Sequence, residues 1–177
     1  MTLERAHITM VRGAEFLAGW SDQEAGAVQP DAARTRFIGN ALRELDRFLS
    51  VLADEAAACL APADHDRPGF ARLRNAPNKL RAVNAMMDLP SPAHEPLRAI
   101  GRLRACLHHC HGHVRSGGLG ADLPSAIAAA GSIGALRHEG DAIMLTVPAE
   151  QLANISRSYR SIADDLVEHV RARRPLH

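Results

Sequence analysis

Along most of this chain, apolar side chains recur at three- and four-residue intervals. That spacing lines up one face of a helix, not the pleat of a strand. The clearest case runs from Asp31 to about Leu60, where Ile38, Ala41, Leu42, Leu45, Phe48, Leu49 and Leu52 share a face. An earlier stretch, Leu3 to Trp20, predicts a first helix with Ile8, Val11, Phe16 and Leu17 inward. Ala61 to Pro68 holds two prolines and two aspartates and breaks the helical pattern. A third helix is expected from Asn75, a capping residue just ahead of Pro77, to Met87, with Leu80, Val83 and Met87 inward. Leu89 to Pro96 is the next break, and a His-rich helix is expected from Pro96 to about Val114.

Arg115 to Gly134 is rich in glycine and small residues and reads as a long loop with room for one short helix near Pro124 to Ala130. The period then changes. Ile143, Leu145 and Val147 alternate, and Ala135 to His138 and Ala142 to Val147 flank Glu-Gly-Asp, which predicts a hairpin. Pro148 and Glu150 open a last helix striped by Leu152, Ile155, Tyr159, Ile162, Leu166 and Val170. The expected fold is all-α: a bundle of four to five helices with a small β-hairpin before the C-terminal helix.

Composition sharpens this picture. Aromatic residues make up only 3% of the chain, so the core must be built from aliphatic side chains and Met, which favours helices over strands. A length of 177 residues points to one domain over 1–177. Twenty-one basic residues against twenty acidic ones give a formal charge of +1, so contact with nucleic acid must come from a local patch. No apolar run is long enough for a signal peptide or a membrane span, so the expectation is a cytoplasmic protein without membrane contact. Cys59, Cys106 and Cys110 are expected as reduced thiols.

Packing does not account for the polar cluster Arg102 to His113. On a helical wheel, Ile100, Leu103, Leu107, Cys110 and Val114 form the core seam. One flank then carries Arg104, His108 and His111, and the other Arg102, Cys106, His109 and His113. Three chemistries fit. His109 and His113 at i and i+4, with Cys106, could hold a metal such as zinc. Histidines near a helix C-terminus also complement the helix dipole with no further role. Alternatively, an Arg can neutralise a phosphodiester while a His moves the proton, which needs no metal or other cofactor when RNA supplies its own 2′-hydroxyl.

The stretch Leu103-Arg104-Ala105-Cys106-Leu107-His108-His109 resembles the motif of the HEPN superfamily, in which Arg is followed after four to six residues by His. Arg104 and His109 occupy the motif positions, and the order of helices, loop, hairpin and last helix is similar over most of residues 31–172. The usual polar residue after the Arg is Ala105 here, and the usual Gly after the His is Cys110, so the helix is expected to continue past the motif. The resemblance implies a metal-independent endoribonuclease leaving 2′,3′-cyclic phosphate ends, with a role in a toxin–antitoxin or phage-defence system. Arg104 would be the phosphate clamp and His109 the general acid/base, with Arg102, His108, His111 and His113 as secondary candidates. It also implies RNA as partner, a homodimer, and a cognate antitoxin or other partner protein. On an ideal helix Arg104 and His109 lie about 140° apart, so either the groove wraps the helix or a second subunit completes the site. A catalytically silent helical module that binds a partner protein, and a His-based metal-binding bundle, are the alternatives.

Overall fold

The computed structural model describes residues 1–23, 32–60, 69, 70, 72–114, 135–139 and 142–173. Among these residues, five helices and a small sheet follow one another as α1 (Leu3–Gln23), α2 (Ala32–Leu60), α3 (Ala76–Met86), α4 (His94–His109), β1 (His113–Val114), β2 (Ala135–Glu139), β3 (Ala142–Thr146) and α5 (Ala149–Arg173). The expected helical bundle with a hairpin ahead of the last helix is the observed fold. The breaker at Ala61 to Pro68 and the loop from Arg115 to Gly134 lie outside the described residues.

Helix α2 is the spine. Its 29 residues span about 44 Å at 1.5 Å per residue, and it packs against each of α1, α3, α4 and α5. Ile38, Leu42, Leu45, Leu49 and Leu52 are fully buried on it, as the spacing predicts, and Ala53, Ala56 and Ala57 extend the seam. Helix α5 buries Leu152, Ile155, Tyr159, Leu166 and Val170, while Ile162 is half-buried at the edge of the stripe. Burying side chains of this size contributes about 1.5–3 kcal/mol each, enough to hold the helices together against chain entropy.

Helix α1 departs from the expectation. Its buried face is Leu3, Ala6, Met10, Ala14 and Leu17, whereas Ile8 and Phe16 are 49% and 64% exposed and Val11 is half-buried. Small residues decide the phase. A Cβ on Gly13 would stand 3.0 Å from the Phe48 ring, so α1 lies too close to α2 for bulky side chains on that line. The alanine seam is therefore the core face, although it is less hydrophobic than the face it displaces.

Helix α3 starts as its sequence dictates. The Asn75 side chain accepts from the Asn78 N–H at 3.0 Å, with Pro77 in the first turn. Helix α4 begins two residues before Pro96 and ends five residues before Val114. His94 anchors its start, buried between the Asn78 Oδ1 and Glu95 Oε1 atoms at 3.1 Å each. At its end, Cys110 and Gly112 both donate to the Cys106 carbonyl, His111 takes a φ of 52° and Gly112 one of 83°. The stop signal is therefore Gly112, three residues beyond the motif histidine, and the helix does not continue past the motif as expected.

The hairpin pairs Ala135 with Thr146 through to Glu139 with Ala142, and β1 adds a third strand on the other edge of β3, giving the order β1-β3-β2. A Cβ on Gly112 would approach the Leu145 carbonyl oxygen to 2.9 Å, and the Leu145 N–H donates to the Gly112 carbonyl at 2.8 Å. Glycine thus both reverses the chain and admits the sheet against the end of α4. Leu145 and Val147 enter the core beneath it.

Candidate functional site

Helices α2 and α4 run antiparallel and very close. A Cβ on Gly39 would meet the His108 backbone nitrogen at 3.0 Å and its Cα at 3.2 Å. Gly39 therefore lies against His108, and Asp46, two turns further along α2, lies against Arg104. Beside this contact opens a cleft of about 560 Å³. Arg43, Asp46, Arg47, Ser50 and Val51 line it from α2, Arg104, Ala105, His108 and His109 from α4, and Arg74 to Ala76 from the start of α3.

Among the described residues, four arginines face this space with one carboxylate among them. Arg104 Nη1 donates to Asp46 Oδ2 at 2.6 Å. Arg47 stands 4.0 Å from Glu44 on its own helix. Among the described residues Arg43 and Arg74, both exposed, have no ion-pair or hydrogen-bond partner. Burial raises the Asp46 pKa above its ordinary 3.8, and the charge and hydrogen bond of Arg104 offset this only in part. The wholly buried Tyr159 on α5 lies behind the pair. Its phenol is pushed up by burial, then by the Asp46 charge, with Arg104 acting in the opposite sense. A desolvated ion pair contributes little to stability, but it fixes the direction of a guanidinium well.

His108 and His109 meet edge to face, with ring centroids 4.7 Å apart and planes at 80°. His108 is half-buried and its Nδ1 atom is enclosed without a hydrogen-bond partner among the described residues. Desolvation, followed by the charges of His109, Arg43, Arg104 and His111, holds its imidazole below the ordinary 6.5. At neutral pH it is an uncharged ring able to accept a proton. His109, the histidine of the expected motif, is exposed at the last helical position.

The structure therefore brings Arg104, His108 and His109 into one cleft and leaves the other candidates outside it. Arg102 is half-buried elsewhere, with its Nε enclosed and unpartnered among the described residues. His111 and His113 are exposed beyond the helix end, the former in the turn and the latter in β1.

The structure does not bring His109, His113 and Cys106 together as the helical spacing suggested. Because α4 ends at His109, the i and i+4 relation to His113 does not exist. Cys106, placed by the wheel on a polar flank, is buried in the core, its thiol pushed up to about 11 by burial and then by Cys110, its Sγ turned to the His113 carbonyl at 3.8 Å. Cys110, assigned to the seam, caps the helix and packs half-buried against the core. Among the described residues no group of three or more His, Cys, Asp or Glu is placed to hold a metal ion.

Sequence reasoning missed Asp46, Arg43, Arg47 and Arg74. The signal for three of them was present: Arg43, Asp46 and Arg47 stand at i, i+3 and i+4 on α2, one polar face beside its apolar seam. Arg74 was legible only as the residue before a helix cap. No helix among the described residues is long and apolar enough to cross a membrane. Comparison with known protein families, characterised proteins and solved structures finds no match for this chain.

Proposed function

We propose that this protein is a HEPN-like endoribonuclease that cleaves RNA without a metal. The observation that carries the reading is the single cleft in which Arg104, His108 and His109 stand together with Arg43, Arg47 and Arg74. Arginine forks suit phosphate oxygens, and in a partly enclosed cleft they neutralise the extra negative charge of a pentavalent phosphorane.

In this reading a neutral histidine takes the proton of the RNA 2′-hydroxyl. Its oxygen bonds to the adjacent phosphorus, the bond from phosphorus to the 5′-oxygen breaks, and a protonated histidine returns a proton to that leaving oxygen. The products are a 2′,3′-cyclic phosphate and a 5′-hydroxyl. The depressed pKa of His108 suits the base, and His109, the motif residue, then supplies the acid. Asp46 turns Arg104 toward the cleft through one nitrogen and leaves the remaining donors of its fork for phosphate.

The test is cleavage of single-stranded and structured RNA in the presence of EDTA, with the product ends identified. Arg104→Ala and His109→Ala are each expected to lower the rate by about 10²–10⁴-fold, the usual contribution of a placed proton-transfer group or charge clamp. Intact RNA after incubation with the wild-type protein, with and without divalent cations, would overturn the reading. A catalytically silent module is favoured by one observation: Arg104 is already satisfied by Asp46 at 2.6 Å, as a purely architectural arginine would be. It predicts that both substitutions change stability and leave binding to a partner protein intact.

A further inference from the structure

The cleft is longer than one phosphate. Its α2 wall runs from Arg43 to Val51, about 12 Å at the helical rise, and its chemistry differs along that length. The pairings Gly39 with His108 and Asp46 with Arg104 put the histidines at the Arg43 end. Helix α3 packs against the opposite stretch of α2, where Lys79 Nζ meets Asp54 Oδ2 at 2.7 Å, so Arg74 and Asn75 enter the cleft from the Ser50 end. Each end therefore carries an arginine without a partner among the described residues: Arg43 beside the histidines, and Arg74 at the far end with Arg47 on the wall between. The lone carboxylate among the described lining residues, Asp46, is consumed midway by Arg104. Unpaired guanidinium groups lining one cleft repel each other, a cost that an anion at each end removes.

From this we infer that the cleft binds two phosphate groups at once: one at Arg43, Arg104, His108 and His109, and a second at Arg74 and Arg47. Its ligand is thus a chain of linked nucleotides or a nucleoside bisphosphate. This rests on the phosphodiester reading above and adds a subsite to it. If cleavage occurs at the first position, the second holds a neighbouring phosphate of the same strand and sets the minimum substrate length.

Calorimetric titration with adenosine 3′,5′-bisphosphate and with adenosine 3′-monophosphate tests the inference without requiring turnover. The bisphosphate is expected to bind about tenfold more tightly, the effect of one added charge-assisted contact. Arg74→Ala should remove most of that advantage, and Arg74→Lys should restore part of it. Arg98→Ala, an exposed change on α4 outside the cleft, should leave it intact, which separates a subsite from general charge. Thermal melting of each variant confirms that the fold persists. Equal affinity for the two probes, or an advantage that survives Arg74→Ala, overturns the second subsite. A bisphosphate advantage that depends on Arg74 in a protein that leaves RNA intact supports the subsite and sinks only the ribonuclease reading.

Discussion

At the scale of single residues, His108 stands one helical turn from Arg104, faces Arg43 across the contact with α2, touches the His109 ring and lies near His111. Every charge named there is positive or becomes so on protonation, and its Nδ1 atom is enclosed; among the described residues Asp46 is the sole acid lining the cleft. Both effects disfavour the imidazolium, so the folded pKa lies below 6.5 while that of the unfolded chain stays near it. The unfolded chain therefore binds more protons in that window, and this residue's contribution to stability is present above pH 6.5 and lost as the pH falls through the folded value. Activity that needs the neutral ring should follow the same direction, with an acid limb of kcat/KM below pH 6.5. Arg43→Ala removes one of the opposing charges and is expected to move the His108 resonance, followed by NMR titration, to a higher midpoint. An unmoved or lowered midpoint would sever the link between α2 and this ring.

Two glycines show what the elements contribute. Gly101, within α4, has open space where a Cβ would stand, so Gly101→Ala is expected to gain about 0.5–1 kcal/mol from reduced chain entropy. Gly39, within α2, meets the His108 backbone, which cannot rotate away, so Gly39→Ala should lose about 1–3 kcal/mol from overpacking and push α4 off α2. Chemical denaturation of the two variants checks the opposite signs, and the second should also widen the cleft and slow turnover. Neither difference is visible in sequence, because both glycines sit inside helical patterns and their meaning depends on what lies opposite. The same distinction runs through the whole reading. The phases of α2 and α5 and the cap of α3 are local or strongly periodic, and they were legible. The phase of α1 was not, because alanines at a close helix contact outrank the larger Ile8 and Phe16, and hydrophobicity alone does not encode interhelical distance. The end of α4 was misplaced because the residue after the motif is Cys110, while the stop is made by His111 and Gly112 with the Cys106 carbonyl. The early stop removes the helical relation of His109 to His113, whereas Cys106 lies within α4 and is buried beside Leu103 and Leu107 because the seam is wider than one line of the wheel. Of the site, Arg104 and the two histidines were legible from one helix, whereas the α2 and α3 wall needed the tertiary fold.

For the whole molecule, a formal charge of +1 conceals a separation: among the described residues four arginines and one aspartate share the cleft, so their positive field is concentrated where an anion would enter. The same cleft bears on subunit requirements. On an ideal helix the 140° between Arg104 and His109 left two routes to one phosphate, a wrapped groove or a second protomer. With α4 ending at His109 and that ring roughly perpendicular to His108, Arg104 and His109 line one cleft of a single chain. In the proposed reading these groups can therefore act from within one protomer. Mixing Arg104→Ala with His109→Ala protein distinguishes the two routes. If the residues act from facing chains, mixed dimers regain one intact site and a quarter of the full complement in a random mixture, and activity reappears on mixing. If both act within one chain, each protomer stays defective and the mixture remains at the level of its components. The second result is expected, together with a rate per chain that does not change on dilution. Recovered activity on mixing would transfer the site to an interface and make the single-chain cleft only half of it.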